Sequence, residues 1–296
     1  MRNKGFTKHY LLMLAPGYAW LVLFSIIPMF GFIMAFQNFN PGRGVFGSEW
    51  VGWENFRYLF SLSDARTIIF NTVFISLLKI IGNLIVPLIF ALMLNELRMG
   101  LFKKSVQTVA YLPHFLSWVI LAGILLDILA YRGPVNHFLT LFGARRILFF
   151  ARADLFRVIV VGSEIWKEFG FNAVIYLAAL TAINPSLYEA ASMDGATRTQ
   201  QLRHVTLPGI STTIVLLAVL SLGNVMNAGF DQIFNMYNPL VYSTGDIIDT
   251  WVYRAGLLNL QFSLATTAGL FKSAIGFIMI SLSYFLAGRL ANYRIF

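Results

Sequence analysis

Six stretches of the chain, about 10–36, 67–94, 105–130, 155–182, 206–228 and 265–287, are long and apolar with few charges between their ends. A helix of about 20 mostly apolar residues crosses the hydrocarbon core of a bilayer. Backbone in lipid must satisfy its own hydrogen bonds, so such stretches fold as helices. Composition agrees: 58% of the 296 residues are hydrophobic and 12% charged, against about 25% charged in a typical soluble domain. Twenty-eight phenylalanines are more than a soluble core of this size can hide. The expected fold is therefore all-α and membrane-integral, with six transmembrane helices.

Six crossings put both termini on one side. With the N-terminus inside, the inner segments carry Arg2, Lys4, Lys8, Arg98, Lys103, Lys104, Arg198, Arg203, Arg289 and Arg294. The outer loops, near 38–66, 131–154 and 229–264, are much longer and carry fewer positive charges, among them Arg145, Arg146 and Arg152. The positive-inside rule then places both termini in the cytoplasm. The basic segment Met1–His9 leads into an apolar run too long for a signal-peptide core, which reads as a retained first span. No internal repeat is evident. The chain divides into residues 1–66, holding the N-terminal tail, first span and first outer loop, and residues 67–296, holding the other five spans.

The net charge of +9 is scattered over segment edges and forms no basic stripe, so a bilayer surface explains it and nucleic acid does not. The chain has no cysteine, which excludes disulfides, thiolate nucleophiles and Cys-based metal sites. It has no phosphate-binding loop of the form G-x-x-x-x-G-K-[ST] and no nucleophile elbow. Its histidines, His9, His114, His137 and His204, lack metal-ligand spacing. His114, beside Pro113, reads as a packing or capping residue. No active site, resident cofactor or metal is expected.

The longest polar run between two apolar segments is YEAASMDGATRTQQLRHVTLP, residues 188–208. Pro185 stops the fourth span. Ser186 is placed to cap a new short helix, with Glu189 at the capping-box position. Asp194-Gly195 breaks that helix, because glycine supplies the left-handed turn. A second short helix over about 196–204 follows before Pro208 opens the fifth span. Two short helices about a glycine make a rigid cytoplasmic knob over about 184–205. Local pattern alone equally allows an ordinary interfacial connector.

The spacing Glu189-Ala190-Ala191, then Asp194-Gly195-Ala196, then Leu207-Pro208 resembles the "EAA" loop of ABC importer permeases. The segments YLPHFLSWVI (111–120), GPVNHFL (133–139), IWKEFGFNAVIYLAAL (165–180) and NAGFDQIFNMYNP (227–239) resemble the sugar-importing, binding-protein-dependent branch, above all permeases for oligosaccharides from plant or algal polysaccharides. Val205 stands where that family usually has isoleucine. The resemblance implies a type I importer permease fold whose knob is a coupling helix docking on an ATP-hydrolysing subunit. It makes Glu189 and Asp194 polar contacts to that subunit, Ala190, Ala191 and Gly195 small residues permitting close approach, and Leu207-Pro208 the end of the motif. It also implies a second, homologous permease subunit, an ATPase dimer that binds the ATP and magnesium, an extracytoplasmic solute-binding protein, and a location in the cell's inner membrane. An acidic oligosaccharide such as an alginate or pectin fragment is the implied substrate.

Ionisable groups inside spans, here Lys79, Asp127, Glu164, Lys167, Glu168 and Lys272, must face protein or water. Glu164, Lys167 and Glu168 share one helix face and can pair with one another. A sugar pathway needs amides for hydroxyls and aromatic faces for C–H surfaces. The candidates are Asn224, Asn227, Asp231 and Gln232 at the end of the fifth span, Trp166 and Asn172 in the fourth, and Phe271 and Lys272 in the sixth. Asparagines in spans serve equally often as interhelical glue. An ion-coupled secondary transporter built on Lys79, Asp127, Glu164 and Lys272 is the rival reading. A membrane enzyme lacks any catalytic constellation.

Overall fold

The structure is a computed structural model that describes residues 4–97 and 100–290. Arg2, Arg98 and Arg294 and both chain ends lie outside the described residues. Eight helices carry most of the chain: α1 (His9–Phe36), α2 (Ser63–Glu96), α3 (Gly100–Phe115), α4 (Trp118–Ile128), α5 (Ala153–Thr181), α6 (Pro185–Met193), α7 (Arg198–Asn224) and α8 (Phe262–Arg289). Four of them, α1, α2, α7 and α8, are each long and apolar enough to cross a bilayer. The pairs α3–α4 and α5–α6 bring the number to six if each pair is one span.

The third apolar stretch, expected to be one helix over 105–130, is instead broken by 103° between α3 and α4. Pro113 lies in a short tight turn, Leu112–Phe115, and Ser117 caps α4 by accepting from the Ile120 N–H. A proline followed by a good cap ends one helix and starts another. The signal stood in the sequence as LPHFLS but was masked by the surrounding apolar residues.

Wide helical turns occur at Val22–Ile26 in α1 and at Leu202–Thr206 in α7, each ending two residues before a proline, Pro28 or Pro208. Proline has no N–H and its ring crowds the carbonyl four residues back. A locally widened turn absorbs that misfit while the helix continues. Consequently Pro208 does not open the fifth span. The helix expected over 196–204 runs on without a break into the apolar part of α7.

Packing divides the chain into two units, one comprising residues up to Ala65 with Trp251–Phe271, the other Arg66–Thr250 with the segment from Lys272 onward. In the first unit a two-stranded hairpin pairs Gln37 with Trp50 and Asn38 with Glu49. Phe36 stacks on Trp50 and meets Trp53 edge-on. Leu59, Leu264 and Ala268 form its small core. Most α1 side chains are exposed, as suits a helix facing lipid.

The second unit has two buried clusters. Ile75, Phe156, Val160, Ala228 and Ile233 belong to one, where α2, α4, α5 and the segment after α7 converge. Ala91, Ala173, Tyr176, Leu180 and Ile210 form the other, between α2, α5 and α7. Between the clusters the same three helices leave a gap.

Candidate transport pathway and coupling surface

The gap is a cavity of about 430 Å³ whose polar lining is Ser76, Lys79, Asn83, Glu164, Asn172, Tyr176, Ser221, Asn224 and Asn227. That volume falls within the range of small-molecule pockets. Lys79 sits at the middle of α2, so the cavity lies at mid-helix depth rather than at one rim. Asn172, Asn224 and Asn227, expected from sequence to face a sugar pathway, line it together. Gln232 is fully buried behind its wall, and Trp166 and Asp231 are exposed. Lys272 is bound to Asp249 at 2.5 Å, and Phe271 packs edge-on against Phe60 in the first unit. Sequence reading missed Ser76 and Asn83, although they share one face of α2 with Lys79 at helical spacing.

Lys79 and Glu164 form an ion pair at 3.6 Å between α2 and α5. The expected pairing of Glu164 with Lys167 is therefore replaced by one across helices. The Lys79 ammonium also donates to the Ala228 carbonyl at 2.6 Å and to Gln232 Oε1. Gln232 in turn donates to the Val160 carbonyl and to Ser163 Oγ, at 2.7 and 2.9 Å. Gly229, at φ +90°, turns the chain out of α7, and a Cβ there would stand 2.9 Å from the Lys79 ammonium nitrogen. These contacts fix the break that presents Asn224 and Asn227 to the cavity.

A second polar cluster ties α5 to the bend between α3 and α4. His114 Nδ1 lies 2.7 Å from Glu168, and Lys167 donates to the His114 carbonyl and to Glu168, both at 2.8 Å. The His114 ring stacks on Phe171 at 3.9 Å. In the outer loop, Arg152 is paired with Asp154 and Arg146 lies over the Tyr131 ring. Among the described residues no group of three or more His, Asp or Glu is placed to hold a metal ion.

The knob begins at Asn184, not Ser186. The Asn184 side chain accepts from the Ser186 N–H and Pro185 takes the first helical position, where its missing N–H costs nothing. The capping box is at the other helix, between Thr197 and Gln200. Helix α6 leaves α5 at 67°. It closes in a paired turn: Ala196 N–H bonds the Ala191 carbonyl, Gly195 N–H bonds the Ser192 carbonyl, and Gly195 sits at φ +75°. Tyr188 reaches Thr206 at 3.0 Å and Gln201 reaches Ser192 at 2.9 Å, lashing α6 to α7. Glu189, Ala190, Met193, Asp194 and Gly195 are left exposed and Ala191 is half-buried. Leu207 is half-buried and Pro208 exposed at the base of α7. Glu189 and Met193 also border an open cleft of about 880 Å³ with Glu96 and Arg198, themselves 3.6 Å apart.

Apolar helices enclosing a polar cavity, with an exposed rigid knob joining two of them, define a membrane transport protein driven from outside its own chain. The chain belongs to the family of binding-protein-dependent transport system inner membrane components, whose model matches residues 83–292. It is 40% identical to the polygalacturonan/rhamnogalacturonan transport system permease protein YteP of Bacillus subtilis (strain 168), over 98% of this chain and 90% of that one. It is 39% identical to protein LplB of the same strain, over 91% and 85%. Its fold is shared with a chain of a bacterial ABC transporter involved in import of the acidic polysaccharide alginate, with TM-score 0.88 and 38% identity over 97% and 98% of the two chains. A second structure of a bacterial alginate ABC transporter, in complex with its alginate pentasaccharide-bound periplasmic protein, matches equally well, at TM-score 0.88 and 37% identity over 99% of each chain. The expected class, an all-α ABC importer permease, holds.

Proposed function

We propose that this chain is the membrane-spanning subunit of an ATP-driven importer that moves an oligosaccharide of an acidic plant or algal polysaccharide into the cell, with both termini in the cytoplasm. One observation carries the reading. Helices α5 and α7 line the cavity through Asn172 and Asn224 and are also the two helices that the knob joins. A push on α6 therefore moves the cavity walls directly, as rigid-body switching requires.

The partners follow from that arrangement. An ATPase dimer, binding the ATP and magnesium, takes the exposed Glu189, Ala190, Asp194 and Gly195 surface. A homologous permease subunit completes the pathway, and a solute-binding protein delivers sugar to the outer loops. Relatives named for polygalacturonan and alginate transport support the substrate class. The complete importer in proteoliposomes tests the proposal. Uptake of trigalacturonate is expected to need ATP and the loaded binding protein and to survive collapse of ion gradients. Uptake driven by an ion gradient without ATP would contradict it and favour secondary transport.

A further inference from the structure

The charges around the cavity are unevenly committed. Of the three protons of the Lys79 ammonium, one goes to the Ala228 carbonyl, one to Gln232, and the third points toward Glu164. The cation has nothing left to offer a ligand. Glu164 is the opposite case: its carboxylate has four acceptor sites and one long contact, at 3.6 Å, and its side chain is 21% exposed where it lines the cavity. On the α2 side, Ser76 Oγ and Asn83 Oδ1 are buried, border the same cavity and have no hydrogen-bond partner. Seven residues of helix place them about 10 Å apart, roughly two sugar rings. Buried polar atoms without partners are costly, so a wall left in this condition awaits a ligand.

We propose that Ser76, Asn83 and Glu164 form a hydrogen-bond-accepting wall that binds sugar hydroxyls and turns uronate carboxylates away, toward the amide groups of Asn172, Asn224 and Asn227. The inference rests on the oligosaccharide reading and adds to it the orientation of the sugar. A hydroxyl donates a proton to each free acceptor. An ionised carboxylate has no proton to give, meets the like charge of Glu164, and finds the Lys79 protons already used. Amide N–H groups on the other walls can donate to it. The wall thus reads the hydroxyl face common to neutral and acidic sugars and penalises a misplaced carboxylate.

The test uses the purified permease pair with its ATPase dimer and two sugars, trigalacturonate and α-1,4-galactotriose, which differ only in carboxylate against hydroxymethyl. Saturation-transfer NMR titration gives a Kd for each. Glu164→Gln is expected to shift the Kd ratio about tenfold in favour of the acid, because it removes the repelling charge and exposes that of Lys79. Asn83→Asp, which adds a charge to the same wall and needs no change at the ion pair, is expected to shift the ratio at least as far toward the neutral sugar. If the variants bind both sugars with the wild-type ratio, or if Asn83→Asp favours the acid, the accepting wall is wrong while the oligosaccharide reading stands. If the wild type binds neither sugar, the oligosaccharide reading fails and this inference with it.

Discussion

Lys79 shows how much one residue can decide. A bare ammonium at mid-membrane costs about 2.5–3.5 kcal/mol on insertion scales, so the fold must supply partners, and it does so from two other segments, α5 and the turn after α7. The position of Lys79 in an apolar helix was legible in the sequence as a demand for a partner. Which partner was not, because helical spacing ranks neighbours along one helix and says nothing about the helix across the gap. Glu164 was therefore expected to pair with Lys167, three residues away. Removing one member of a buried pair strands the other, typically at about 3–5 kcal/mol, an effect that the partial exposure of Glu164 reduces. Lys79→Met is expected to lower the melting temperature of the purified complex by several degrees, and the double change Lys79→Met with Glu164→Gln to recover part of the loss. Equal melting of the single variant and the wild type would show that the pair does not hold the turn.

At the scale of elements, composition made every apolar stretch legible and hid its breaks. Pro28 and Pro208 are each preceded by a widened turn, so neither ends a helix. Pro113 does end one, because Ser117 stands ready to cap the next. The difference lies in the residues after the proline, a cap in one case and continuous apolar sequence in the others. The knob was legible as two helical pieces about Gly195, whereas its caps fall at Asn184 and Thr197 rather than at Ser186. Gly195 carries the sharpest expectation here. Its φ of +75° disfavours a β-branched residue by about 1–2 kcal/mol, yet nothing in this chain lies within 4 Å of a Cβ placed there. Gly195→Val should thus leave the permease assembled in the membrane, with transport down at least tenfold while ATP hydrolysis continues. Normal transport by this variant would remove Gly195 from the coupling surface.

Taken as a molecule, the second unit is a lever with a load. Helices α5 and α7 are braced at one end by α6, through Tyr188–Thr206 and Gln201–Ser192, and hold the cavity farther along their length. Membrane class, coupling motif and the asparagines of the cavity could be read from residue order, since each leaves a local pattern. The α2 wall and the cross-helix ion pair could not, since they exist only once three helices meet. The central claim is that a separate ATP-hydrolysing subunit grips the exposed side of α6. The chain contains no cysteine, so Met193→Cys, 88% exposed on that side, can carry a single benzophenone label in the assembled importer. Mass spectrometry after irradiation should identify peptides of the ATPase subunit, with a yield that changes when ATP is added. Adducts confined to lipid, with no ATPase peptide in any nucleotide state, would contradict the account.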